Sequence, residues 1–304
     1  MHSLRIARLM KILFIGITIC LSVGCLHENR SGCGNGLLLK FRYVTSIGLL
    51  RAGSFPETDH LSVFAFDRDG LFVCEKKDSA IRIDDNYTME FPLSQGQYQF
   101  VVWSGLSDSY TLTPRFPGQT RIQDFILKVK RDDANNIPSP PPLLYHGHHE
   151  TISLDPSATE VITIGLRRIT NTVRVIVHTP NPVSQPQISI RDNNGAYSHL
   201  GTTVPDTPVN YLPRIASSPN DPTTWIAGFN VMQLQTTGET RLYIDSPDDG
   251  LQYNEKLVSG LLAANPDIDF NTDHDFTIEI TFNGLYVPVS ILINDWEIIP
   301  EDIN

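Results

Sequence analysis

The sequence is poor in several things at once. Four Cys, four Met and three Trp occur in 304 residues, and only 19% of the residues are charged. Basic side chains are outnumbered, 23 Lys and Arg against 34 Asp and Glu, for a formal net charge of −11. So acidic a chain is not built to track phosphates, which argues against nucleic-acid binding. Beyond the N-terminal segment no apolar run approaches the ~20 residues of a membrane-spanning helix, so a polytopic membrane protein is excluded. Local catalytic signatures are missing as well: there is no G-x-S-x-G elbow, Walker loop, dinucleotide fingerprint or H-E-x-x-H helix. The composition is 40% apolar, with 20 Gly and 21 Pro. Together with abundant Thr, Val, Ile and Tyr, it points to strands and turns.

Residues 1–24 differ from the rest. Arg5, Arg8 and Lys11 precede an apolar run from Ile12 to Val23, the arrangement of a secretory signal whose core is too short to span a bilayer. Ser22-Val23-Gly24-Cys25 then resembles a lipobox, with Ser22 where Leu is usual and Leu21 one position earlier. Cys25 is thus the expected lipidation site; Cys20 is the poorer candidate because bulky Ile19 precedes it. Diacylated and amide-acylated, Cys25 would hold the chain stably on a membrane, with residues 25–35 as a tether. Cys33 and Cys74 remain, a candidate disulfide in an oxidising envelope compartment.

A weak internal repeat organises the remainder of the chain. Gly36–Val44 and Asn171–Thr179 are both β-rich runs, each succeeded by a strand, a D-x-x-G step and another strand. Asp67 to Gly70 and Asp192 to Gly195 therefore predict two hairpins, Asp capping the turn and Gly accepting positive φ. Gly-led strands come next, at Gly96–Trp103 and Gly238–Asp245. In the first, period-2 alternation puts Tyr98, Phe100 and Val102 on one face. Long β-rich runs, Thr151–Leu166 and Phe276–Trp296, close the two halves. The pattern predicts an all-β protein of two tandem antiparallel β-sandwiches, residues 36–166 and 167–304. Segments 132–142 and 213–223 read as Pro-rich surface loops. A helix is expected over Asn254–Ala264, while Thr120–Arg131 fits either a helical face or a strand.

Candidate chemistry is thin. His146 and His148 share one face of a strand and could ligate zinc, but the sequence supplies no third ligand, and the Asp-rich steps do not continue as calcium loops. No metal or cofactor is expected, and no enzymatic activity. Trp103 and Trp296 sit in alternating strands and read as packing residues. Trp225 follows a polar Pro-containing loop and is the candidate adhesive contact.

The ordered motifs SGCGNGLLLKFRYV, VFAFDRDGLFV, GQYQFVVWSGL, LLYHGHHETISL, LRRITNTVRVIV and ILINDWEII resemble the minor fimbrial anchor and accessory subunits of Bacteroidales over essentially the whole chain after the signal. The resemblance implies two transthyretin-like sandwiches and an assembly role at the outer membrane surface. The implied partners are fimbrial subunits, joined by β-strand complementation at an open sheet edge. Gly36–Val44 and Val289–Ile299 are the candidate assembly strands, Val289, Ile291 and Ile293 offering knobs on one face. No processing site is assigned, Lys40 and Arg42 lying inside an expected strand and Arg51, in an expected loop, being the more accessible site, and this favours an uncleaved, lipid-held anchor. Asp78-Ser79-Ala80 matches a short O-glycosylation pattern of this bacterial group, making Ser79 a candidate acceptor. The alternatives are a fimbrial tip adhesin binding host protein or glycan, and a surface carbohydrate-binding lipoprotein of a nutrient-uptake system.

Overall fold

The computed structural model describes residues 37–45, 48–49, 60–155, 159–294 and 296–298. The first half supplies β1 (Leu37–Thr45), β2 (Gly48–Leu49), β3 (His60–Asp67), β4 (Phe72–Ser79), β5 (Met89–Phe91) and β6 (Gly96–Ser104). It continues through β7 (Tyr110–Leu112), β8 (Leu127–Val129), β9 (Asn136–Ile137), β10 (Tyr145–Leu154) and β11 (Val161–Arg168). The second half begins with β12 (Thr170–His178), β13 (Gln187–Asp192), β14 (Ala196–Tyr197), β15 (Val209–Tyr211), β16 (Arg214–Ser218) and β17 (Asp221–Met232). It ends with β18 (Arg241–Ser246), β19 (Leu251–Lys256), a helix at Leu257–Ala264, β20 (Asp275–Phe282), β21 (Pro288–Ile293) and β22 (Trp296–Ile298).

An eight-stranded sheet follows the order β2-β1-β11-β10-β6-β3-β4, with β5 on β1. Alternation sorts its side chains. Tyr98, Phe100 and Val102 of β6 join Leu61, Val63 and Ala65 of β3 and Leu39 and Phe41 of β1 in one core. Residues from both ends of one sheet meet there, so the sheet curls over on itself. The opposite face of β3 and β6 carries Phe64, Phe66, Val101 and Trp103, which belong to a second core continuous with the C-terminal half. The strand β3 is therefore buried on both faces, which is why Val63 to Phe66 is an unbroken apolar run rather than an alternation.

The second half is a sandwich. A six-stranded sheet, β16-β17-β12-β20-β21-β22, faces a five-stranded one, β19-β18-β13-β15-β9. Val173, Val175 and Val177 of β12 meet Ile188 and Ile190 of β13 and Leu242 and Ile244 of β18 in the core between them. The sheets are mostly antiparallel, but the lead strand of each half pairs in parallel with a late one. Leu38 lies opposite Val161 in β1 and β11, and Thr172 opposite Asp275 in β12 and β20. Parallel pairing needs a long crossover, and here the intervening strands of each half provide it. This shared topology is the physical content of the internal repeat.

The halves are interwoven. Residues 36–304 gather into one unit by contacts, β9 of the first half pairs with β15 of the second, and β8 pairs with β14. Segment 132–142 is thus not wholly a surface loop: Ile137 is buried and part of the second sandwich. Segment 213–223 likewise forms much of the β16–β17 hairpin, with Pro213 before its first strand and β16 at the sheet edge, where a missing N–H is tolerated. The expected helix begins at Leu257 because Asn254 to Lys256 are held in β19 against β18. The ambiguous 120–131 stretch resolves into a 3-10 turn at Ile122–Asp124 and then β8.

The two D-x-x-G steps diverge. At the first, Asp67 Oδ1 accepts from the backbone N–H groups of Asp69 and Leu71, and Gly70 adopts φ +75°, closing the β3–β4 hairpin as expected. At the second no hairpin forms, since β13 pairs with β15 and β18 while β14 leaves for β8. Its polar side chains turn inward instead. Asp192 Oδ2 accepts from Thr240 Oγ1 at 2.5 Å. Asn194 donates to the Met232 and Gln233 carbonyls and accepts from the Tyr211 hydroxyl.

Candidate functional site

The residues of the LRRITNTVRVIV motif build the junction where the chain passes from the curled sheet to the sandwich. Asn171, fully buried, accepts from the Leu234 N–H at 2.8 Å and donates to the Asp273 carbonyl at 3.0 Å. Arg168 donates to Thr172 Oγ1 at 2.6 Å and pairs with Asp275 at 3.0 Å. The Tyr197 hydroxyl donates to the Ile169 carbonyl and accepts from the Gln233 N–H. Apart from the buried Arg168 Nε, these side chains spend their polar atoms on one another and on the backbone, so the motif organises the fold.

The histidines beside it are also drawn into the interior. His146 is buried, its ring centroid 4.6 Å from that of Trp103, and its Nε2–H donates to the His199 carbonyl at 2.9 Å. Gly201, at φ +67°, packs its Cα against the same imidazole. Burial favours the neutral ring and pushes its pKa down to about 3. His148 faces His199, ring centroids 6.1 Å apart, and both are pushed down, again chiefly by burial. Among the described residues no group of three His, Cys, Asp or Glu side chains is arranged to hold a metal ion.

Other expected site residues are dispersed. Cys25, Cys33 and Arg51 lie outside the described residues. Cys74 is a half-buried thiol on β4 with no disulfide partner among the described residues, its pKa raised by burial and by neighbouring Glu75. Ser79 is exposed at the end of β4, beside Ala80 at φ +56°. Trp225 is a strand residue of β17, opposite Val177 and Ser217, half-buried against the core with its indole nitrogen covered. It is not a projecting loop aromatic. Trp103 is a core residue, fully buried.

The C-terminal strands complete their own sheet. β21 pairs with β20, and β22 with β21, so β22 is the outermost described strand on that side. Ile291 and Ile293 are buried, whereas Val289 is 54% exposed, with Leu285 and Val287 exposed in the preceding turn. β1 is engaged by β11, β2 and β5.

Sequence reasoning missed one feature, a groove of about 720 Å³ on the outer face of the five-stranded sheet, lined by both polar and apolar side chains. Its Tyr243, Arg191 and Asp245 alternate with core residues along β13 and β18. Nothing in the linear pattern separates such residues from an ordinary solvated face.

Comparison with known proteins places these features among relatives. The family profile of the fimbrillin-A associated anchor proteins Mfa1 and Mfa2 matches residues 30–302. The minor fimbrium anchoring subunit Mfa2 of Porphyromonas gingivalis is 26% identical over 290 residues, covering 89% of this chain and 87% of that protein. Among solved structures, a DUF1812 protein from Bacteroides thetaiotaomicron superposes with a TM-score of 0.76 at 24% identity, covering 88% of this chain and 99% of the other. The fimbrial anchor protein Mfa2 from P. gingivalis superposes with a TM-score of 0.73 at 24% identity, covering 86% and 98%. The superpositions establish a common fold.

Proposed function

Because the chain belongs to the fimbrillin-A associated anchor proteins, we propose that it is an outer-membrane lipoprotein that holds a fimbria by its base. Cys25 carries the lipid, residues 25–35 are the tether, and the interwoven sandwiches are the body that meets a fimbrial subunit. The observation that carries this reading is the family match across nearly the whole chain, supported by a junction whose Asn171 and His146 side chains hydrogen-bond to the backbone.

The joint with the fimbrial subunit is β-strand complementation at the terminal edge of the six-stranded sheet. Leu285, Val287 and Val289 give that end an exposed apolar tip, and apolar side chains flanking a sheet edge are what an incoming strand needs in addition to main-chain hydrogen bonds. Cys33 and Cys74 form a disulfide that ties the tether to β4, and Ser79 is glycosylated on its exposed strand end. Leu285→Asp and Val289→Asp test the joint, since both positions are exposed and the fold tolerates charge there. The expected result is normal secretion with the chain lost from purified fimbriae. Full incorporation of both variants would exclude this edge as the joint.

A further inference from the structure

Three Asn-Gly steps occur in the chain. Glycine has no Cβ to shield its N–H, so in this dipeptide the main chain can turn back on the asparagine side chain. Asn35-Gly36 lies outside the described residues. The other two, Asn194-Gly195 and Asn283-Gly284, share a spelling and have opposite surroundings. Asn194 is 4% exposed. Its Nδ2 donates to the Met232 and Gln233 carbonyls, and its Oδ1 accepts from the Tyr211 hydroxyl. Gly195 is packed as well: a Cβ there would lie 3.1 Å from both Arg131 and Asp206. This amide is held on three sides, away from water.

Asn283 opens the turn from β20 to β21 and repeats the bonding of Asp67 in the β3–β4 hairpin. Asp67 Oδ1 accepts from the N–H groups of Asp69 and Leu71, and Asn283 Oδ1 from those of Leu285 and Val287 at 2.9 and 3.0 Å. In both turns the first residue's carbonyl accepts from the fourth residue, and its N–H donates to the fifth. The fourth residue has positive φ in each, +75° at Gly70 and +56° at Tyr286. Three features make the Asn283 amide reactive. Its Oδ1 is polarised by two N–H groups, which would also receive the negative charge of a tetrahedral intermediate, as an oxyanion hole does. Its Nδ2 and the Gly284 N–H have no hydrogen-bond partner among the described residues, so leaving group and nucleophile are both free. Gly284 itself is exposed, with nothing within 4 Å of a Cβ position, so water reaches the step.

We propose that Asn283 is a site of spontaneous deamidation, through a succinimide formed with Gly284. Hydroxide removes the Gly284 amide proton and the nitrogen attacks Asn283 Cγ, the carbonyl electron pair moving to Oδ1. Collapse of that intermediate breaks the Cγ–Nδ2 bond, and Nδ2, protonated by water, leaves as ammonia. Water then opens the ring at either carbonyl, giving an aspartyl or an isoaspartyl residue. One water is consumed and one ammonia released, and nothing is oxidised or reduced. The aspartyl product suits the turn, because Asp67 makes the same bonds at the matching position. The isoaspartyl product lengthens the main chain by one methylene just before the exposed Leu285, Val287 and Val289, and adds a negative charge beside them. The apolar tip of the sheet thus carries a chemical clock. The anchoring role neither requires this chemistry nor is required by it.

The test is ageing of the full-length chain in mildly alkaline buffer, followed by digestion and tandem mass spectrometry to follow conversion of amide to acid at each asparagine. Methyl transfer by a protein isoaspartate methyltransferase counts the isoaspartyl product. Asn283 is expected to react about tenfold or more faster than Asn194, a barrier difference of roughly 1.4 kcal/mol. Gly284→Ala is expected to fold normally, since the position is open and its φ is not positive. Its added Cβ hinders ring closure and should slow the reaction at Asn283 by about tenfold or more. In guanidinium chloride the two asparagines of the unmodified chain should react at similar rates, because the difference lies in the fold. Equal rates in the folded chain overturn the proposal, as does a Gly284→Ala variant that reacts as fast as the unmodified chain. So does a difference that persists in the denatured chain, which would trace it to neighbouring sequence instead.

Discussion

Mild acid should loosen the junction before its carboxylates begin to titrate. His146 is enclosed by Trp103 and by the loop carrying Gly201, and among the described residues its one hydrogen bond is the Nε2–H donated to the His199 carbonyl. Burial holds its pKa near 3, against 6.5 for the unfolded chain. Between those values the unfolded state binds the extra proton, so stability is complete above about pH 6.5 and falls as the pH drops toward 3. Integrating the linkage from about pH 7.5 to about pH 5 gives a loss of about 2 kcal/mol from His146 alone. His148 and His199 act in the same direction. So does His274, lowered to about 4, although its partial exposure reduces its share. Asp192, raised by burial, acts in the opposite sense, but only near the carboxylate range. Urea unfolding at the two pH values measures the difference. In His146→Gln, which keeps an amide donor, the pH-dependent loss should shrink by about 2 kcal/mol, even if the variant starts less stable. An identical loss in both proteins would refute the assignment to His146.

Particular contacts set the remaining expectations. Gly201→Ala combines a positive φ with a Cβ driven into the His146 ring, and should cost about 1–3 kcal/mol in chemical denaturation. Asp206→Ala removes the carboxylate from the largely buried Arg131 guanidinium that ties the end of β8 to the loop before β15, leaving it only Thr207, with an expected loss of about 1–3 kcal/mol. By contrast Arg68→Ala removes an exposed pair with Asp69, and the thermal midpoint should not move measurably. Equal effects for the Asp206 and Arg68 variants would contradict the role given to burial.

The strands of the fold were largely legible in the sequence because alternation and turn chemistry are local. Tyr98, Phe100 and Val102 face one core as their spacing requires, and the Asp67–Gly70 step closes its hairpin. What the sequence could not convey is where a strand finds its partner. Asp192 and Gly195 repeat the first turn's spelling, yet Thr240, distant in sequence, captures the Asp192 carboxylate and the two strands part. β9 hides within a Pro-rich stretch because its stability comes from β15 rather than from its own residues. Trp225 follows a loop-like sequence but is held between β12 and β16. The groove escaped notice for a related reason: Gln187, Arg191 and Tyr243 occupy the outward positions of ordinary alternating strands, and only the folded sheet shows that they converge without internal partners.

If this chain holds a fimbria to the outer membrane through a lipid on Cys25, removing that sulfur must release the fimbria. Cells carrying Cys25→Ala, grown with labelled palmitate, test this directly, with fimbriae quantified on the cells and in the medium. The expected result is a chain that loses its label and fimbriae that are shed into the medium. Fimbriae that remain on the cells, with the chain unlabelled, would contradict the anchoring role.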